Sequence, residues 1–107
     1  MSGTIFTLDE VIALCKIYDI RIVRRKDRKN QTFRRKYNIS YDDEITCIRE
    51  YLTPEHCLKE AVEDYNYPGN VLYVFEVYFF GQWCYIKLSI DEKLETITVI
   101  SFHESEE

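Results

Sequence analysis

Lys87 interrupts the apolar run CYIKLSI at residues 84–90, and His103 ends the run TITVISFH at 96–103; the chain has one other histidine, His56. An imidazole with an ordinary pKa of ~6.5 takes or gives a proton near neutral pH. A lysine ammonium neutralises anionic oxygens, and a tyrosine such as Tyr85 donates a hydrogen bond or stacks on a planar group. Side chains of these kinds, if they met, could move a proton beside a negatively charged group. Taken singly, each has a plainer explanation. A strand lysine commonly faces solvent on a half-exposed sheet, and a histidine at a strand end is commonly just exposed.

The strands that carry these residues decide whether they meet. Alternation puts Tyr85, Lys87 and Ser89 on one face of their strand and Cys84, Ile86, Leu88 and Ile90 on the other, which is the core face. In the last strand the two sets are Ile97, Val99, Ser101 and His103 against Thr98, Ile100 and Phe102. A hairpin loop with an odd number of residues would bring His103 to the face of Trp83, Tyr85 and Lys87. A two-residue loop would send it to the opposite face.

Around these strands the chain is divided into a helical part, about 1–66, and a strand-rich part, about 70–104, within one expected domain spanning 1–107. Thr7 and Glu10 form a capping box in front of an amphipathic helix over 8–18. Residues 20–25 suit a short edge strand or an extended connector, and 28–37 a basic helix weakened by Asn30 and Thr32. Ser40 precedes a helix with Asp42, Asp43 and Glu44 in its first turn and Ile45, Ile48 and Leu52 on its inner stripe. Thr53 and Pro54 then signal a short second helix running into CLKEAVEDY. The turn Tyr67-Pro68-Gly69-Asn70 separates the two parts. Strands over 71–80, 83–90 and 94–103 predict an antiparallel three-stranded meander, and helices packed on one face of it make an α+β domain.

Cys15, Cys47, Cys57 and Cys84 have no C-x-x-C spacing, so free, buried thiols are expected. Only His56 and Cys57 are adjacent, and neither a metal nor another cofactor is expected. No apolar run is long enough to span a membrane, and the N-terminus lacks the order of a signal peptide, which predicts a cytoplasmic protein without a membrane partner.

Net charge is −5, but residues 21–36 hold nine basic side chains against one acid, Asp27, a local excess of eight. The remainder therefore has a net charge of −13. Arg24, Arg25, Arg34, Arg35 and Lys36, near Phe33 and Tyr37, could follow an RNA backbone with rings available for stacking, or meet an acidic protein. A solvated surface stretch explains the same composition without any partner.

From about Ile45 to Ser105 the chain resembles the MqsR-type toxins of bacterial toxin-antitoxin systems, within the wider RelE-like ribonuclease group. The matching pieces are LTPEHCLK, a spacer ending in YPGNVLYVF, GQWCYIKLSI and VISFHE. The YIKL and SFH pieces with their spacing are the most specific. The resemblance implies a RelE-like fold and a metal-independent endoribonuclease that cleaves mRNA, free or on the ribosome, and is neutralised by a cognate antitoxin. In such chemistry the ribose 2′-OH attacks the adjacent phosphorus and leaves a 2′,3′-cyclic phosphate and a 5′-OH. It also implies roles for four residues: Lys59 matches the lysine of the L-T/S-x-x-x-x-K piece, Tyr85 and Lys87 the YxK strand, and His103 the position after SF, a lysine in some relatives. Two features depart from the pattern. Apolar residues near Val74 stand where some relatives have glutamine, and this chain is acidic where RelE-like nucleases are commonly basic. The other reading of the same chain is a non-catalytic module that binds RNA or protein through residues 21–36.

Overall fold

The computed structural model describes residues 5–23, 28–63 and 71–105, with the backbone alone at 28 and 29. The turn expected at 67–70 lies outside these residues. The order is α1 (Leu8–Ile17), β1 (Asp19–Ile22), α2 (Arg28–Tyr37), α3 (Tyr41–Thr46) continuing into a wider π turn (Cys47–Tyr51), one 3₁₀ turn (Pro54–His56), then β2 (Cys57–Glu63), β3 (Val71–Phe79), β4 (Gln82–Asp91) and β5 (Thr96–Glu104). The fold is α+β. Its sheet has five strands in the order β1-β5-β4-β3-β2, with β1 parallel to β5 and every other pair antiparallel. The meander of β3, β4 and β5 is present, but the sheet is mixed and wider than the three antiparallel strands expected.

The two extra strands have local causes. Residues 57–63, read from sequence as the continuation of a helix, form β2 instead. The helix begun at Pro54 stops after one turn, where the Cys57 cap donates back to Pro54, and the chain extends along the edge of β3. Pairing with a long apolar strand outweighs the high helix propensity of the Leu, Lys, Glu and Ala residues in CLKEAVE. Two register shifts and a positive φ at Ala61 mark how irregularly β2 fits. Of the edge strand or extended connector expected over 20–25, the strand β1 forms at Asp19–Ile22, held against β5 by Ile20 opposite Ile97 and Ile22 opposite Val99.

Two of the three foreseen helix starts, at Thr7 and Ser40, close as capping boxes between a hydroxyl and a carboxylate. Thr7 Oγ1 accepts from Glu10 N at 3.2 Å while Glu10 Oε1 accepts from Thr7 N at 3.0 Å. Ser40 and Asp43 exchange the same pair of bonds. At the other end, Lys16 donates to the Arg49 carbonyl and Arg49 to the Cys15 carbonyl, so α1 and the π turn satisfy each other's C-terminal groups.

The core lies between these helices and one face of the sheet. Val11, Cys15, Phe33, Cys47, Ile48 and Leu52 pack against Tyr73, Phe75, Ile86, Leu88, Val99 and Phe102. Burying a large apolar side chain is worth about 1.5–3 kcal/mol, so this face dictates the strand registers. Cys15, Cys47 and Cys84 are free and buried, and burial pushes each thiol up to about 12; Cys57 is only partly buried. Among the described residues no helix is long and apolar enough to cross a membrane.

Candidate functional site

The opposite face of the sheet, here the outer face, carries every candidate catalytic residue. In β4 it presents Trp83, Tyr85, Lys87 and Ser89, while Cys84, Ile86 and Leu88 are buried on the core side. In β3 it presents Leu72, Val74, Glu76 and Tyr78, each directly opposite one of those four. What brings His103 to the same face is a bulge rather than the hairpin.

Four residues, 92–95, separate the paired Asp91 and Thr96. This even spacing sets Ile90 against Ile97 and Leu88 against Val99, both pairs facing the core. Continued unbroken, it would bury His103 and expose Phe102. Between Leu88 and Lys87 the register shifts, with Ile100 as the extra residue, so that Lys87 faces Ser101, Ile86 faces Phe102 and Tyr85 faces His103. An inserted residue exchanges the two faces of everything beyond it. The odd and two-residue loops considered from sequence are thus both replaced by an even loop corrected by a bulge.

The bulged strand is held from its far side by α2. β1 pairs β5 only from Thr96 to Val99. Beyond it, the buried Asn30 side chain takes the place of a neighbouring strand, its Oδ1 accepting from Phe102 N at 3.3 Å. Phe33 packs against Phe102 with ring centroids 5.9 Å apart and planes tilted by 39°. The asparagine that weakens α2 as a helix is the residue that positions the strand carrying His103.

Two adjacent rows result. The first runs Lys59, Val74, Lys87, Ser101 across β2, β3, β4 and β5, and the second runs Glu76, Tyr85, His103 across β3, β4 and β5. At ~4.8 Å per strand, Lys59 and Lys87 are roughly 10 Å apart at their backbones. Val74 stands between them and is 3% exposed, so an apolar spacer separates the two lysines. Lys59 itself is exposed and reaches this face from the edge strand β2, not from a helix.

In the second row the Tyr85 and His103 rings stack, with centroids 5.1 Å apart and planes inclined by 14°. His103 Nδ1 lies 2.9 Å from the Glu104 carbonyl oxygen. A carbonyl only accepts, so Nδ1 carries the proton in this contact and Nε2 is the basic nitrogen of the neutral ring. Burial raises the Tyr85 hydroxyl above its usual value, keeping it a hydrogen-bond donor at neutral pH. Glu76 Oε2 accepts from Ser105 Oγ, and Ser105 N donates to the Trp83 carbonyl at 2.9 Å. The link between Ser105 and Glu76 therefore crosses β4 between the Trp83 and Tyr85 positions.

Glu76, Trp83 and Ser101 were not singled out from sequence as site residues. Glu76 had a signal: it is the only acid between residues 71 and 80, at the phase of Val74 and Tyr78. His56 serves local structure, with Nδ1 accepting from Thr53 N at 3.1 Å.

The basic segment is only partly a surface strip. Arg24 and Arg25 lie outside the described residues. Arg34 points inward, its side chain 12% exposed, with Nη1 3.5 Å from Oε1 of the fully buried Glu44 and its guanidinium over the Tyr41 ring. Lys36 pairs with Glu104 at 3.5 Å, and Tyr37 Oη donates to Gln82 Oε1 or Glu104 Oε1. Arg35 is exposed. Of the five, then, Arg35 and Lys36 are placed where a polyanion could reach them, and Arg34 is committed to Glu44.

Among the described residues no group of three or more His, Cys, Asp or Glu side chains is placed to hold a metal ion. No protein-family model, curated protein or solved structure matches the chain.

Proposed function

We propose that the outer face is a phosphodiester-cleaving site, and that the protein is a toxin-like, metal-independent mRNA endoribonuclease of the RelE-like group. The observation that carries this reading is the convergence of Lys59, Lys87, Tyr85 and His103 in two neighbouring rows, achieved only through the bulge at Ile100. A bulge that turns one histidine and one serine outward at the cost of a regular ladder is the kind of irregularity found beside active sites.

In the proposed reaction the ribose 2′-oxygen loses its proton and attacks phosphorus, the bond to the 5′-oxygen breaks, and that oxygen gains a proton. His103 Nε2 takes the first proton or, as imidazolium, gives the second. Lys87, with Lys59 on the far side of Val74, neutralises charge that builds on the phosphoryl oxygens. Tyr85 fixes the His103 ring by stacking and donates a hydrogen bond to the phosphate. Glu76, across Tyr85 from His103, is a second group on this face able to carry a proton. Exposed cations of α2, Arg35 and Lys36, extend the RNA path, and an acidic antitoxin covering them would neutralise the toxin. Unchanged RNA affinity in an antitoxin complex would rule out that mode of neutralisation.

The test compares cleavage and binding of a labelled mRNA by the wild type, His103→Ala, Lys87→Ala and the charge reversal Arg24→Glu/Arg25→Glu/Arg35→Glu. Cleavage lost in the first two variants, with binding retained and far-UV circular dichroism unchanged, is the expected result. Binding without cleavage in the wild type, abolished by the charge reversal, would instead establish a non-catalytic module.

A further inference from the structure

Next to the Tyr85 and His103 rings, the outer face carries a second aromatic pair that the proposed chemistry does not use. Tyr78 and Trp83 face each other across β3 and β4, 58% and 51% exposed, with ring centroids 5.4 Å apart and planes at 73°. Large aromatic rings left half in water side by side are unfavourable unless something covers them. An edge-to-face pair engages at most one face of one ring, so flat apolar surface remains for a planar ligand.

Position and charge narrow the ligand. Trp83 lies two residues from Tyr85 on the same strand face, a step of ~6.8 Å, comparable to one nucleotide of an extended strand. The outer face is also polar along its length. Lys87 and Lys59 occupy the row beyond Tyr85, whereas Glu76 stands opposite Tyr85 and next to Tyr78 on β3, with its carboxylate tied across β4 to Ser105 on the side of the aromatic pair. A carboxylate there repels a phosphate but tolerates a base, whose ring nitrogens and amino groups include donors. The cationic end therefore suits the phosphodiester, and the aromatic end the base attached to it.

We infer that Tyr78 and Trp83 form a stacking subsite for the base of a nucleotide adjoining the cleaved phosphate, so that the ligand of this face is single-stranded RNA. The inference rests on the cleavage reading for its register but has its own readout, because Trp83 is the sole tryptophan of the chain. A base stacked on an indole quenches its fluorescence.

The experiment titrates the full chain with a short 2′-O-methyl oligoribonucleotide, which cannot undergo attack by a 2′-hydroxyl, and with the same strand lacking its bases. Saturable quenching by the first and not by the second is expected, unchanged in His103→Ala. Trp83→Ala should raise the KM for a cleavable RNA, or its Kd measured by anisotropy, roughly 5- to 100-fold, with Trp83→Phe recovering most of the loss. Both positions are exposed, and thermal melts confirm that the variants fold. Quenching without any RNA cleavage would support the subsite and remove the enzymatic reading. His103-dependent cleavage without quenching, and with Trp83→Ala unaffected, would overturn the subsite alone. Neither quenching nor cleavage would remove both.

Discussion

Glu44→Gln should leave stability nearly unchanged at pH 5 and raise it at pH 8. Glu44 is fully buried, its Oε2 has no hydrogen-bond partner among the described residues, and its Oε1 meets Arg34 only at 3.5 Å, the long limit of such a contact. Desolvation therefore outweighs the attraction of Arg34 and lifts the carboxyl from 4.5 to about 7. A carboxyl whose folded pKa exceeds its unfolded value binds its proton more tightly in the native state. Its stabilising contribution is complete below about pH 4.5 and is lost as pH rises through about 7. At ~1.36 kcal/mol per pKa unit the whole effect is about 3 kcal/mol, of which about 2.5 kcal/mol falls between pH 5 and pH 8. Glutamine imitates the protonated acid and has no such dependence. Urea unfolding followed by circular dichroism at both pH values measures the difference between the two proteins. Parallel pH profiles, or a Glu44→Gln protein weaker at pH 8, would show that Arg34 holds the carboxylate charged and that the burial argument is wrong.

Other consequences follow from the same geometry. Asn30→Ala should destabilise the fold by about 1–3 kcal/mol, read from denaturant midpoints, because Phe102 N–H loses its acceptor in a buried setting. In native protein at pH 8, Cys57 should react with a thiol reagent well before Cys15, Cys47 and Cys84, which burial holds up to about 12 and which should react only on unfolding. Lys87→Ala should lower the cleavage rate about 10²-fold or more with little change in melting temperature, as expected of a partly exposed cation acting on transition-state charge. A comparable loss in melting temperature would make Lys87 structural.

The strand alternation was legible because burial on one face enforces it. Cys84, Ile86 and Leu88 read as core, and they are core. The bulge was also written in the last strand, though less plainly: Ile97 and Val99 are buried at odd positions and Phe102 at an even one, so the apolar phase breaks between them. Counting loop residues missed it because parity arguments assume an unbroken ladder. β2 was misread since Thr53 and Pro54 are good helix starters, while the competing edge of β3 is distant in sequence. The charge run at 21–36 revealed its sign but not its phase. Which arginine turns inward depends on Glu44, on a different helix, and no local pattern reports that partner. Lys59, Tyr85, Lys87 and His103 were grouped in the sequence only through a resemblance, and their common face depends on three strand pairings that spacing does not contain.

In the proposed reaction His103, turned outward by the bulge, works with Lys87 on a phosphodiester without a metal. End-mapping of a labelled RNA incubated with purified protein tests this proposal most directly when run beside His103→Ala, with free RNA in excess EDTA and, separately, with translating ribosomes in magnesium buffer. Fragments ending in a 2′,3′-cyclic phosphate and a 5′-OH, absent with the variant, are the expected result. Intact RNA under both conditions, cleavage abolished by EDTA, or identical cleavage by His103→Ala would contradict it.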